Sequence, residues 1–407
     1  MNTKKPGTRT RWLSLGVVGI GGASFLSDVG HEVPTALLPS LLTSLGAPAV
    51  ALGLIEGVAN GASGLARLIG GPIADDPQRR KRVAMGGYVS TAVFSSLIGV
   101  ATAAWQVGAF RLAAWTARGL RVPSRNALLA DIVPPEAYGR AYGFERSMDN
   151  LGAITGPLLA LVLVSLVGIR TAILVSVVPG LLAAVAIFIA IREAPRLSTR
   201  TTARMRIRLR PLLRGPLGRL LLAMSVLELG NAAATLLILR ATEALTPSFG
   251  LEPATQIALG LYVGYNTLAT LASIPAGFLS DHQSPVAVVA IGALLFAAAY
   301  LSLTGATFLL LMLGFGLAGI GIGFLETGQN AAVAALAPET LRGSAFGLLA
   351  AVQSFGGFAA SAIAGLLWTA VSAQVAFGYL AICMGLGGIG VAATLGARTM
   401  TDTSAAD

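Results

Sequence analysis

Residues 71–81 read Gly71-Pro-Ile-Ala-Asp75-Asp-Pro-Gln-Arg79-Arg80-Lys81, and they join two long apolar runs, 49–73 and 83–104. Each run is long enough to cross a bilayer, since a transmembrane helix needs about 20 mostly apolar residues. The joining segment ends in four consecutive bases, from Arg79 to Arg82. A short basic loop between two apolar helices is typical of the cytoplasmic side of a membrane protein.

The same alternation of apolar runs and short polar loops extends over all 407 residues. Hydrophobic residues make up 55% of the chain and charged residues only 11%, against about 25% charge in an ordinary soluble domain. This composition excludes a disordered chain and a typical soluble enzyme. We predict twelve membrane spans, numbered in chain order, at 12–43, 49–73, 83–104, 107–130, 140–167, 170–191, 217–244, 255–280, 285–305, 307–333, 342–370 and 374–397.

The charges of the loops predict the orientation. The net charge of +10 comes from bases that lie mainly between the apolar runs, which argues against nucleic-acid binding. The alternate loops near 44–48, 105–106 and 371–373 carry no charge, and only the loops with Arg170 and Arg240 depart from the pattern. The positive-inside rule therefore places both termini in the cytoplasm. We expect a multi-pass protein of the cytoplasmic (inner) membrane of a prokaryote, with span 1 retained.

Two halves of the chain look like repeats. Arg125-Asn126-Ala127 aligns with Gln329-Asn330-Ala331 at an offset of 204 residues, and Asp28 falls opposite Glu228 at an offset of 200. Repeated halves around a central site are a common transporter plan. We predict a six-helix bundle at 1–191, an Arg-rich cytoplasmic linker at 192–216 and a second six-helix bundle at 217–407.

The segment at 71–81 resembles the loop signature of the major facilitator superfamily, with Asp76 and Gln78 as departures from it. A second copy keeps Gly277 and Asp281. In span 5, Gly152-Ala-Ile-Thr-Gly156-Pro157 is similar to the front half of that family's antiporter motif, whose final glycine pair is replaced here. The resemblance implies an all-α membrane fold of two pseudo-symmetric bundles, with spans 1, 4, 7 and 10 around a cavity, and transport by alternating access. It assigns gating to Gly71, Asp75, Arg79, Arg80 and Asp281.

Charged residues inside the spans are the most informative feature for function. Each costs about 2.5–3.5 kcal/mol at the centre of a bilayer, so they must pair with one another or face a wet cavity. Thirteen fall within the predicted spans: Asp28, Glu32, Glu56, Glu145, Asp149, Glu228, Glu326, Arg67, Arg111, Arg118, Arg121, Arg125 and Arg146.

From these residues we predict two sets. We expect Glu56 in the cavity with Arg67 as its structural counterpart. The proton-coupling or substrate set is Asp28, His31, Glu32, Glu56, Arg118, Glu228, Glu326 and Asn330. A second set, Glu145, Arg146 and Asp149, is expected to pair near the cytoplasmic gate.

The sequence favours a secondary transporter, with proton-coupled efflux of a drug-like or toxic compound as the leading hypothesis. Two alternatives remain open: a divalent-metal exporter that uses Asp28, His31 and Glu32, and an organic-anion carrier that uses Arg118, Arg121 and Arg125. The sequence contains no recognisable catalytic motif. It also contains no P-loop, which needs a lysine after glycine, because the only lysines are at 4, 5 and 81. We expect no enzyme activity and no cofactor; the expected partners are a small solute, protons and lipid, and the expected state is a monomer.

Overall fold

The computed structural model describes residues 12–47, 49–193 and 209–403, and within these ranges it contains helices and no strand. The basic N-terminal tail and most of the predicted linker lie outside the described residues. The α-helices are α1 (Leu15–Ser44), α2 (Ala49–Ala74), α3 (Pro77–Leu97), α4 (Ala104–Ile132), α5 (Tyr138–Val175), α6 (Val177–Glu193), α7 (Leu209–Leu212), α8 (Gly215–Glu228), α9 (Ala234–Phe249), α10 (Leu251–His282), α11 (Pro285–Thr304), α12 (Phe308–Leu336), α13 (Arg342–Ala370) and α14 (Ala373–Thr403).

The helices match the predicted spans with two local departures. α5 contains Gly168, whose positive φ of 76° turns the chain between predicted spans 5 and 6, and only glycine adopts such a backbone readily. Predicted span 7 is divided into α8 and α9 by a break after Glu228. By length and apolar composition, seven helical stretches among the described residues qualify as membrane spans, and one of them, Pro135–Arg192, holds two predicted spans. α1, α2 and α4, which carry most of the buried charges, are not among the seven.

The helices pack as two groups. In the first group α1 packs against α5 and α6, while α4 packs against α2 and α3. In the second group α11 packs against α12 and α14, α10 against α12, and α8 against α14. The groups meet mainly through the pairs α2–α13 and α5–α10.

Equivalent positions of the two groups have equivalent surroundings. A Cβ added to Gly152 would lie 2.8 Å from Cβ of Asp28, and a Cβ added to Gly356 would lie 2.5 Å from Cβ of Glu228. Asp28 and Glu228 therefore occupy the same place in each group, as their alignment predicts.

The two groups touch at one end of the molecule. We call this the loop end, because it holds the short connections 75–76, 133–137, 283–284 and 337–341. In the described part of the chain, the hydrogen bonds between the groups run from the loop end only as far as Arg67–Ser354 and Ser147–Thr270. Gly64 and Gly71 of α2 face α13, and Gly57 lies on the same face nearer the opposite end, where an added Cβ would meet no atom within 4 Å. The cleft between the groups is thus shut at the loop end, and we call the opposite end the open end.

Candidate functional site

α1 and α4 share a line of polar contacts deep in the first group. Arg118 Nη2 donates to Asp28 Oδ1 over 3.2 Å, and its Nη1 lies 2.7 Å from Nε2 of His31. His31 Nδ1 lies 2.9 Å from the carbonyl oxygen of Ser27, which only accepts. The arrangement fits a neutral imidazole with its hydrogen on Nδ1, because the remaining nitrogen then accepts from the guanidinium. Three predicted cavity residues are therefore one hydrogen-bonded unit.

The side-chain geometry does not favour a divalent-metal site at Asp28, His31 and Glu32. Glu32 Oε1 does lie near His31, at 3.3 Å from Nε2, but that nitrogen also faces Arg118. Among the residues that the structure describes, no three His, Cys, Asp or Glu side chains form a group that could hold a metal ion. A guanidinium beside Asp28 and His31 opposes a divalent cation at the same place, so this geometry disfavours the metal-exporter hypothesis.

Nearer the open end, Arg111 is the partner of Glu56. Its Nη2 lies 2.7 Å from Glu56 Oε1, its Nη1 donates to Thr35 Oγ1, and its guanidinium stacks 3.5 Å from the ring centroid of Trp115. The prediction that Arg67 is the counterpart of Glu56 is wrong. Eleven residues along one helix separate them by about 16 Å, too far for an ion pair.

Nearer the loop end, two further α4 arginines continue the line. Arg121 Nη2 donates to Ser27 Oγ over 2.6 Å. Arg125 Nη1 donates to Ser24 Oγ over 2.9 Å and lies 2.7 Å from Oε1 of Glu145 on α5. Glu145 is 1% exposed, so its charge is balanced inside the first group rather than by solvent.

Arg146 of α5 links the two groups at the centre of the molecule. It is ion-paired with Asp149, and its Nη1 lies 3.0 Å from Glu326 Oε2 on α12. Asp149 is also 3.6 Å from Arg125. We expected Arg146 and Asp149 at the gate, but they line the central cavity, because they lie two to three turns inside α5 from its start at Tyr138.

A cavity of about 340 Å³ lies between the two groups, within the range of small-molecule sites. Its charged lining consists of five arginines and two acids: Arg67, Arg118, Arg121, Arg125, Arg146, Asp149 and Glu326. Arg67, on α2, donates from Nη1 to Ser354 Oγ of α13 over 3.0 Å. The cavity is therefore polar and rich in guanidinium groups.

Asn330 joins the lining through a repeat-related partner. Asn126 Nδ2 donates to Asn330 Oδ1 over 3.0 Å, and Asn330 Nδ2 donates to the carbonyl oxygen of Glu326. The two asparagines are 204 residues apart, which is the offset of the repeat. The pair marks the point where equivalent positions of α4 and α12 meet.

Glu228, at the end of α8, is fully buried and has no base within 4 Å in the described part of the chain. Its two carboxyl oxygens accept from amides, Oε2 from Asn231 Nδ2 over 2.9 Å and Oε1 from Gln329 Nε2 over 2.8 Å. Gln329 Oε1 in turn accepts from Nε2 of Gln353 over 2.7 Å, and Gln353 lines the cavity. Glu228 is thus connected to the cavity by a chain of amide hydrogen bonds.

Asp75 seals one side of the loop end. Its Oδ1 accepts from the backbone N–H of Ser344 over 2.8 Å, and Oδ2 accepts from the hydroxyl of Ser344. Ser344 lies in the first turn of α13, where free N–H groups and the helix dipole favour a carboxylate. Burial raises the pKa of Asp75, and the hydrogen bonds from Ser344 oppose this rise.

Asp281 seals the other side in the same way. Its carboxyl oxygens accept from the backbone N–H groups of Gly139 and Arg140 over 2.6 and 3.1 Å, and Oδ2 lies 2.6 Å from Nε of Arg140. These residues begin α5. Gly71 packs against the backbone of Gly343, where a Cβ on Gly71 would come within 3.0 Å of the carbonyl oxygen.

The basic loop contributes one residue to this closure. Arg80 is 2% exposed and ion-paired with Asp131, whose other oxygen lies 3.3 Å from Nη1 of Arg342. Arg79, predicted alongside it, pairs only with Asp76 in its own helix turn among the described residues and is half exposed. Asp131 and Arg342 were not among the predicted site residues. The signal was available for Asp131, an acid at the end of span 4 facing a loop of bases.

The family model of the major facilitator superfamily matches residues 20–252 and 220–405. The chain belongs to the major facilitator superfamily. Its members are membrane transporters and not enzymes, so the family resemblance, the fold class and the absence of an enzyme class are confirmed. An uncharacterised MFS-type transporter of Methanocaldococcus jannaschii is 30% identical over 394 residues, which cover 95% of this chain and 97% of the relative.

Solved structures of the superfamily have the same fold. An outward-facing bacterial homologue of the iron transporter ferroportin superposes with a TM-score of 0.72 at 16% identity, over 94% of this chain and all of that one. The fucose:proton symporter of E. coli superposes with a TM-score of 0.71 at 15% identity, over 93% and 98% of the chains. At these identities the likeness establishes the fold alone.

Proposed function

We propose that this superfamily member exports a small organic solute across the cytoplasmic membrane in exchange for protons, by alternating access. The basic loop residues support a cytoplasmic position for the loop end, by the positive-inside rule. The conformation described above is then closed toward the cytoplasm and open outward. Closure rests on small, reversible contacts, the two aspartate caps and the glycine approaches beside them. Contacts of this kind break without loss of the helices, as switching between two states requires.

The observation that carries proton coupling is the environment of Glu228. An ionised carboxylate in a buried position needs a cation or a strong set of donors. Within the described residues, the side-chain donors to Glu228 are the amides of Asn231 and Gln329. Asp28, at the equivalent position of the first group, has Arg118. We therefore assign the transported proton to Glu228, reached from the cavity by way of Gln353 and Gln329.

Two relatives that match part of the chain support the direction of transport. A multidrug resistance protein of Proteus mirabilis, MdtG, is 31% identical over 150 residues, or 36% of this chain. A homologue of the multi-drug resistance efflux pump PmrA in Lactococcus lactis is 34% identical over 68 residues, or 17% of this chain. The first name states multidrug resistance and the second states efflux, and both agree with the proposed export.

The test uses inverted membrane vesicles with an acidic interior and a dye that reports the pH gradient. Drugs, organic anions and divalent metals are added one class at a time to vesicles with wild type, Glu228→Gln or Asp28→Asn, and to vesicles without the protein. We expect one class to collapse the gradient in wild type and none to do so in Glu228→Gln. Exchange of labelled for unlabelled solute should persist in Glu228→Gln, because exchange needs no net proton movement.

Asp28→Asn is the matched comparison, since it neutralises the equivalent carboxyl of the other group. We expect weaker solute transport that still moves protons. Solute-driven collapse of the gradient in Glu228→Gln at the wild-type rate would contradict the assignment of the proton. Solute movement in wild type that ignores the gradient would contradict proton coupling altogether.

A further inference from the structure

Two of the five arginines that line the cavity have no acid partner. In the described part of the chain, Arg118, Arg125 and Arg146 each lie within 4 Å of a carboxylate oxygen, whereas Arg67 and Arg121 do not. The two acids of the lining, Asp149 and Glu326, are already engaged by other arginines. The charge left unbalanced at the cavity wall is therefore positive.

Arg121 shows this most clearly. It is 2% exposed, and its polar contacts are one hydrogen bond to Ser27 and a guanidinium stacked 3.9 Å from the ring centroid of Tyr88. Its Nε and Nη1 atoms are buried and have no hydrogen-bond partner among the residues that the structure describes. A buried guanidinium with two unused donors is costly, because its charge has no acid partner there and part of its N–H groups lack an acceptor.

Arg67 repeats the pattern on the neighbouring helix. Its Nη1 donates to Ser354 across the cleft, and its Nε is buried with no hydrogen-bond partner in the described ranges of the chain. Arginines of α2 and α4 thus line one cavity, and only some of them are paired with an acid among the described residues. A protein keeps such unpaired charges where a ligand supplies the counter-charge.

We propose that the transported solute carries an oxyanion group, a carboxylate or a phosphate, and that this group binds to Arg67 and Arg121. The planar fork of a guanidinium matches two oxygens of such a group. The ion-paired Arg118 and Arg146 line the same cavity, where their charges add to the attraction for an anion. This inference rests on the proposed transport function and names the chemical class of its solute.

The experiment measures binding to the purified full-length protein, without a pH gradient, by thermal unfolding. The probes are benzoate, benzamide and benzylamine, which carry the same ring with a negative, neutral or positive group, together with citrate and inorganic phosphate. We expect an oxyanion of this set to raise the unfolding temperature, with an apparent affinity that falls as salt is added. Benzamide and benzylamine should have no such effect.

Variants locate the site. Arg121→Gln and Arg67→Gln should each weaken anion binding by about tenfold or more, as expected for loss of a charged hydrogen-bond partner. Arg121→Lys, which keeps the charge but not the fork, should retain part of the affinity and guards against misfolding of the Gln variant. Arg219→Gln removes an exposed arginine of α8 and should leave anion binding unchanged.

Three results overturn the inference: stabilisation by benzylamine or benzamide in preference to every anion, no stabilisation by any anion of the set, or wild-type anion affinity in both Arg121→Gln and Arg67→Gln. Failure of the proposed function looks different. Anions that bind but never move across vesicles contradict transport and leave the binding site intact. Proton-coupled movement of a cation contradicts the oxyanion and leaves transport intact.

Discussion

The first group of helices places a guanidinium beside its buried α1 carboxyl, whereas the second group surrounds the equivalent carboxyl with amides. Asp28 contacts Arg118, and Glu228 contacts Asn231 and Gln329. The difference extends along the helices. Four arginines of α4 correspond, 204 residues later on α12, to one polar and three apolar residues: Phe315, Ile322, Leu325 and Gln329.

The two groups are alike at the loop end, where an aspartate caps the start of a helix in the opposite group on each side. Asp75 binds the N–H of Ser344, and Asp281 binds the N–H of Arg140, which is the repeat-related position. Closure of a two-fold arrangement needs the same contact twice, so the repeat is kept there. The cavity needs different chemistry on its two sides, and there the repeat has diverged.

The largest expected effect comes from replacing Arg125 of the first group with glutamine, the residue type that the second group has at the equivalent position, Gln329. Arg125→Gln removes the closer of the two bases at Glu145 and leaves this buried acid with Arg146 alone, at 3.8 Å. Breaking a buried ion pair costs about 3–5 kcal/mol. We expect the unfolding temperature of the purified protein to fall by several degrees. Gln329→Leu, at the equivalent position on α12, removes the side-chain hydrogen bonds to Glu228 and from Gln353. It breaks no ion pair and should therefore cost less. Equal losses in the two variants would refute the distinction between the groups.

The shared gate predicts equal effects at repeat-related glycines. A Cβ on Gly139 would overlap the carbonyl oxygen of Gly277, and a Cβ on Gly343 would lie 2.6 Å from the backbone nitrogen of Asp75. Overpacking costs about 1–3 kcal/mol, so Gly139→Ala and Gly343→Ala should each move the protein away from the closed loop end by about tenfold or more.

Labelling from outside reports this shift. Val122 lines the cavity, and a Val122→Cys substitution in a Cys383→Ser background provides one thiol for a membrane-impermeant reagent. We expect slower labelling in both glycine variants and no change in Gly61→Ala, which adds a methyl group to open space. A response from only one of the gate glycines would show that the gate is not symmetric.

Removing either aspartate cap should affect closure less than the glycine substitutions do, and the two caps should differ from each other. Removal of a cap costs about 1 kcal/mol, or roughly a fivefold change in population. Asp281 also pairs with Arg140 at 2.6 Å, whereas Asp75 is held by hydrogen bonds from the start of α13. Asp281→Ala should therefore slow the same labelling more than Asp75→Ala. The reverse order would mean that the ion pair between Arg140 and Asp281 contributes nothing to closure.

The smallest expected effect is a pH dependence of closure through Asp75. Burial in the closed form raises the pKa of this carboxyl above that of an exposed aspartate. The closed form therefore holds a proton more tightly than the open form, and lowering the pH toward the ordinary range of aspartate, about 4, should favour closure of the loop end. Distances between spin labels on opposite sides of the loop end report this change. The part of the dependence due to Asp75 should vanish in Asp75→Asn.

Much of the site was visible in the sequence as isolated residues. The buried charges of α1, α4 and α5 stand out because apolar spans tolerate few of them, and the repeat places Asp28 opposite Glu228. The sequence did not show which acid pairs with which arginine. Arg67 was matched to the wrong acid, and Arg146 was expected at the gate although it bridges to Glu326 in the cavity.

The sequence by itself determined the class of protein: the lengths of the apolar runs, the charges of the loops and the glycine and aspartate signatures predict a membrane transporter of repeated halves. These signals are local or periodic along the chain. Only the tertiary structure decided which carboxylates neutralise which arginines. In the part of the chain that it describes, Arg67, Arg121 and Glu228 have no oppositely charged side chain within 4 Å. Helical periodicity tells which residues share a face. Which faces meet depends on the packing of helices that are far apart in the chain.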